Sequence, residues 1–163
     1  MPEIDIERIN QVEMQFGGLR FEIYYTKAFG ASTRLFGKVG GDWEELLRFD
    51  DFVGIPHYHQ PASNDTAIMV AKEEHPEAME FYLNIIANEL PERLTAAGYA
   101  DVLPSIDQGR VRANIELVRH AMSSVLPEGF YRVPGDFLQD SVEERTTQRA
   151  EMFAAAQAAP HSA

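Results

Sequence analysis

Apolar residues recur with two different periods along this chain, one in each half. In "VEMQF", Val12, Met14 and Phe16 alternate with Glu13 and Gln15. Successive side chains of a strand point to opposite faces, so the alternation predicts a strand with one wet face. Gly17-Gly18 is a two-residue turn signal that permits positive φ. In "LRFEIYYT", Leu19, Phe21, Ile23 and Tyr25 share one face, and Arg20, Glu22, Tyr24 and Thr26 the other. The two segments read as a hairpin. "TRLFGKV" predicts a third strand with Thr33, Leu35, Gly37 and Val39 together. After Gly40-Gly41, "DWEELLRFDDF" predicts a fourth, with Trp43, Glu45, Leu47 and Phe49 on one side. The short apolar "AIMVA" predicts a fifth.

The second half changes to helical spacing. Pro76 suits a first helical turn, where its missing N–H costs nothing. Met79, Tyr82, Leu83, Ile86 and Leu90 follow at intervals of three and four. Pro91 predicts a break, then a short helix to Ala97 capped by Gly98. Ser105 with Gln108 has capping-box spacing. The helix after it places Val111, Ile115, Val118, Met122 and Val125 on one face, and Gly109 weakens its start. "EGFYRVPGDFL" is irregular but aromatic. Ser141 with Glu144 predicts a last helix carrying Val142, Met152 and Phe153, and "AAAQAAPHSA" reads as a tail.

Strands first and helices afterwards predict an α+β fold. The expectation is an antiparallel sheet of four to five strands packed by two to three C-terminal helices. One domain over residues 1–153 and a flexible tail over 154–163 suit a chain of 163 residues.

Composition narrows the function. The chain has no cysteine, which excludes disulfides, thiolate nucleophiles and Cys-based metal sites. Its net charge is −12, from 26 acids against 14 bases. Nucleic-acid binding needs Lys and Arg against phosphate, so a broad nucleic-acid surface is not expected. The start "MPEIDIERIN" lacks a basic, apolar leader, and no stretch has the length of a membrane span. A cytoplasmic protein is the expectation.

The candidate chemistry lies in "FDDFVGIPHYHQP", residues 49–61. On a strand, His57 and His59 would project to one side with Tyr58 opposed. Two neutral imidazoles so placed can ligate one divalent metal, zinc or iron, if a third ligand joins them. His75, His120, Asp50, Asp51 and Asp65 are the candidates. Alternatively the imidazoles serve in acid–base chemistry, with Asp51, Asp50 or Asp65 orienting a ring and Tyr58 donating a hydrogen bond. The candidate catalytic set is His57, His59, Asp51 and Tyr58, with His57 and His59 as the metal ligands of the alternative. The plainer alternative is structural: Pro56 and Pro61 bias Ile55 and Gln60 to extended geometry and fix a crossing between strands.

The segment departs from the cupin pattern, because the Gly-to-His spacing differs and no glutamate follows His59 at the required distance. "LRFDDFVGIPHYHQP" resembles the Arg-Tyr/Phe-Asp…Pro-His-His segment of some small toxin–antitoxin-associated proteins, over about fifteen residues. Two functions therefore fit the sequence. One is a small-molecule-binding protein or enzyme with a pocket centred on His57 and His59, walled by the sheet and its covering helices. The other is a non-catalytic interaction module, a homodimer or a binder of a basic protein partner as in a toxin–antitoxin pair. That module would use Tyr24 and Phe36, aromatics on otherwise polar strand faces. The glycines of "AFGASTRLFGKVGG" match no phosphate-binding loop and read as hairpin turns.

Overall fold

The computed structural model describes residues 8–26, 30–52 and 54–127. The aromatic segment after Pro127, the helix expected from Ser141 and the tail lie outside the described residues. The fold is α+β. Six antiparallel strands run in sequence order: β1 (Arg8–Phe16), β2 (Leu19–Thr26), β3 (Gly30–Val39), β4 (Asp42–Asp50), β5 (His57–His59) and β6 (Ile68–Met69). The count exceeds the expected four to five because the histidine segment is itself a strand. "AIMVA" shrinks to the two residues of β6.

The hairpin registers follow the apolar alternation. Val12 lies opposite Ile23, Met14 opposite Phe21, and Phe16 opposite Leu19. Phe21 then faces Leu35, and Ile23 faces Thr33. These residues form the inner face, onto which the helices pack. Gly18, at φ 80°, brings the first turn against the Ser105 carbonyl, where an added Cβ would overlap that oxygen.

In β4 the expected face assignment is corrected. Leu47 and Phe49 do face inward, opposite Leu35 and Thr33. Between Leu35 and Phe36 the register shifts by one residue, leaving Leu46 as the extra one. A bulge of one residue moves everything beyond it to the other face. Trp43 and Glu45 therefore lie outward, opposite Lys38 and Phe36, while Leu46 is buried with Leu47. Leu46 reaches over Gly37, where a Cβ would come 2.7 Å from its Cδ1.

The helical half is α1 (Ala78–Asn84), a π-helical stretch (Ile85–Glu89), α2 (Leu90–Ala96), a 3₁₀ turn (Ala100–Ser105), α3 (Gln108–Ala113) and α4 (Ile115–Ser124). Tyr82, Leu83, Ile86 and Leu90 are buried as their spacing predicts. Pro91 falls in the first turn of α2. It has no N–H to offer the carbonyl four residues back, at Ala87. Gln108 supplies the missing donor: its Nε2 donates to the Ala87 and Ile86 carbonyls, at 2.8 and 3.1 Å.

Gln108 is thus not the partner in a capping box with Ser105. Asp107 is the cap of α3, accepting from the Arg110 N–H, and Ser105 ends the preceding turn. At the end of α2, Tyr99 N–H reaches the Leu94 carbonyl and Gly98 N–H that of Thr95, with Gly98 at φ 91°. This is the double bond of a Schellman ending. The single helix expected from Gln108 onward is divided at Asn114. Among the described residues, no helix is long and apolar enough to cross a membrane.

Candidate functional site

The outer face of the sheet carries the chemistry. In the β4–β5 register Arg48 faces His59, Phe49 faces Tyr58, and Asp50 faces His57. Because Phe49 points inward, strand alternation sends Arg48, Asp50, His57 and His59 outward. Ser32, opposite Asp50 on β3, donates from Oγ to Asp50 Oδ1 at 2.8 Å. The other oxygen, Oδ2, lies 3.5 Å from His57 Nε2 and 3.4 Å from His59 Nε2.

The distal ring nitrogens are tied to the backbone. His57 Nδ1 lies 2.8 Å from the Ile55 carbonyl, and His59 Nδ1 lies 2.6 Å from that of Asn64. A carbonyl only accepts, so each Nδ1 carries a proton and donates it. In the neutral ring Nε2 then offers a lone pair and in the protonated ring an N–H, and both Nε2 atoms converge on one carboxylate oxygen. This is how protein frameworks orient metal-binding histidines.

Electrostatics follow from the convergence. Burial opposes ionisation of Asp50, but the bonds from His57, His59 and Ser32 prevail and hold its carboxyl well below the usual carboxylate range. The bond to Asp50 holds the His59 imidazole above its ordinary value, against the opposing pull of desolvation.

From the inner side Tyr82 braces the two strands. Its hydroxyl lies 2.9 Å from the Asp50 carbonyl and 3.0 Å from that of His57, so its one proton is shared between them. The helical spacing marks Tyr82 only as core. Its polar end, which a buried phenol must satisfy, was the signal for this second task.

The expected site residues divide. His57 and His59 come together, and Asp50 joins them; among the described residues these three form the group able to hold a metal ion. Asp51 is buried at φ 49°, with its carboxylate accepting from the Ile55 N–H at 2.8 Å. It shapes the loop between β4 and β5. Tyr58 lies on the inner face, near Phe49 and Tyr82, and its hydroxyl accepts from Arg93 at 2.8 Å. Asp65 and His120 are exposed, and His75 stacks on Phe81 at 4.1 Å.

The described helices do not wall the imidazoles, because they pack on the opposite face of the sheet. A cleft of about 720 Å³ opens between His75, Glu77, Glu80, Phe81 and Arg93, away from Asp50 and the histidines. Nor are the outer aromatics bare. Arg8 covers the Tyr24 ring at 3.9 Å, and Arg20 and Arg34 flank Phe36 at 5.3 and 5.1 Å.

Residues 10–122 match the family described as Domain of unknown function (DUF7700), and the chain belongs to it. The matched span includes Asp50, His57 and His59. No curated protein and no solved structure matches the chain.

Proposed function

We propose that Asp50, His57 and His59 hold one divalent cation on the outer sheet face, and that the protein binds or transforms a small molecule there. The observation that carries this reading is the convergence of both Nε2 atoms on Asp50 Oδ2, with both Nδ1 atoms held by carbonyls. The separations of 3.5 and 3.4 Å make these long hydrogen bonds, since a charge-assisted N–H···O bond is usually about 2.7–2.9 Å. They agree with the edge of a tetrahedron whose metal–ligand bonds are about 2.0–2.1 Å, an edge of about 3.4 Å. Two imidazoles and one carboxylate are a donor set that zinc takes and that iron also accepts.

Three protein ligands leave a fourth position for water or substrate, as in catalytic zinc sites. A cation there supplies Lewis acidity, and the chain supplies the orientation of its ligands. The test is metal analysis of protein purified without an affinity tag. One equivalent of zinc is expected in the wild type, and a loss of at least tenfold in affinity for Asp50→Asn, His57→Ala and His59→Ala. A metal-free wild type that takes up no zinc on titration contradicts the reading.

A second reading, the interaction module, draws support from the sheet edge. Ile68 and Met69 of β6 are 39% and 61% exposed, an apolar pair on the edge strand of the sheet among the described residues. A concentration-independent monomer in sedimentation equilibrium would oppose a homodimer formed there.

A further inference from the structure

Across the strands, outward residues form two rows beside the cation position. One row runs Gln11, Tyr24, Ser32, Asp50 and His57; the other runs Glu13, Glu22, Arg34, Arg48 and His59. Every polar end in the first row near the site has a partner except one. Ser32 bonds Asp50, Asp50 meets the histidines, and the Tyr24 hydroxyl has no hydrogen-bond partner among the described residues. Arg8 packs on the Tyr24 ring and fixes it. Burial raises the Tyr24 phenol above its ordinary value, outweighing Arg34 and Arg8, so the hydroxyl keeps its proton as a donor.

Charge on this face differs from that of the whole chain. Arg8, Arg20, Arg34 and Arg48 are paired among Glu13, Glu22 and Glu45, with Asp50 in the neighbouring row. Four arginines balance four carboxylates, and Lys38 adds one positive charge at the far end of β3, over Trp43. A divalent cation at Asp50 leaves two surplus positive charges among the arginines and carboxylates beside it. Each guanidinium also keeps donors beyond those its carboxylate uses.

We propose that the ligand of this site is a phosphate-bearing small molecule, its phosphate seated between the cation position and the Tyr24 hydroxyl, with Arg34 and Arg48 along its flank. The proposal rests on the metal reading above and adds the substrate class to it. Tyr24 and Asp50 stand two strand spacings apart, about 10 Å between backbones. A phosphate on the cation and the Tyr24 phenol would together span that distance. A phosphate dianion also neutralises the two surplus charges, and its oxygens accept from the phenol and from guanidinium forks.

Cobalt(II), which takes the same tetrahedral sites as zinc and has visible absorption bands, reports on the fourth position directly. Protein loaded with one equivalent of cobalt is titrated with inorganic phosphate. A saturable change in the visible bands is expected, with phosphate affinity about tenfold weaker in Tyr24→Phe, the loss of one hydrogen bond to a charged group. Cobalt affinity itself stays unchanged in Tyr24→Phe, because the hydroxyl is not a ligand. Arg48→Lys, which keeps the charge, is expected to weaken phosphate less than Arg48→Gln. If cobalt binds but phosphate leaves its bands unaltered, or binds wild type and Tyr24→Phe equally, the phosphate proposal falls and the metal reading stands. If cobalt fails to bind at all, both fall.

Discussion

Alternate residues of β2, β3 and β4 enter two environments that are held in different ways. Inward, Leu19, Phe21, Ile23, Leu35, Leu47 and Phe49 are almost wholly buried against the helices. Outward, Arg20, Glu22, Arg34, Glu45 and Arg48 hold one another, and beside them Asp50 meets His57 and His59. An inner side chain is fixed by packing on every side, so its loss leaves a cavity. An outer one is fixed by one or two directed partners, so its loss releases them to water. Stability therefore resides mainly on one face, and selective chemistry is possible on the other.

The comparison breaks if the inner face proves tolerant. Phe49 packs on Tyr82 with ring centroids 5.0 Å apart and is fully buried. Phe49→Ala is expected to cost about 3–5 kcal/mol in denaturant unfolding. A cost below about 1 kcal/mol would show that the core is not closed around it. The two glycine turns give a second contrast. Gly18 and Gly41 have φ of 80° and 89°, but only Gly18 abuts another backbone; a Cβ on Gly41 meets nothing within 4 Å. Gly41→Ala is expected to cost about 1–2 kcal/mol, the strain of the left-handed conformation. Gly18→Ala should add about 1–3 kcal/mol more for the overlap with Ser105. Equal melting temperatures for the two variants would remove the 3₁₀ turn as a support for the hairpin.

The smallest expected effect is in pH dependence, and it sharpens the account of the outer face. Asp50 is lowered in the folded state, so its contribution is present above the unfolded value of about 3.9 and fades as pH falls further. His59 is raised, so its contribution is full below the unfolded value of about 6.5 and is lost as pH rises through the folded value. With chelator present, stability should fall as pH rises above about 6.5 and through the raised folded value of His59. With zinc present the slope should reverse, because metal binding needs both rings neutral. Melting curves in chelator and in zinc at several pH values check this. Parallel slopes would mean that zinc does not compete with the His59 proton.

The same two faces differ in how much the sequence discloses. Inner residues announce themselves by alternation, and Val12, Phe21, Leu35 and Leu47 lie where it puts them. The bulge at Leu46 escapes, because two adjacent leucines carry no sign of which one a partner strand will skip. The outer site was half legible. A strand through Tyr58 places His57 and His59 together, but choosing Asp50 over Asp51 requires parity counted inward from Phe49. Asp51 follows the end of β4, where alternation lapses and the chain turns at positive φ. Ser32, Arg34 and Tyr24 reach the site only across strands, through a register that no local spacing encodes. Gln108 misled for a related reason: its partners, Ile86 and Ala87, lie some twenty residues away.

The central claim is that Asp50, His57 and His59 close on one cation. Anomalous diffraction at the zinc edge, from crystals grown with one equivalent of zinc, tests it most directly. The account predicts one strong peak within about 2.0–2.2 Å of Asp50 Oδ2, His57 Nε2 and His59 Nε2. A zinc peak bound elsewhere, with the two imidazoles still facing the carboxylate at hydrogen-bond distance, would contradict it.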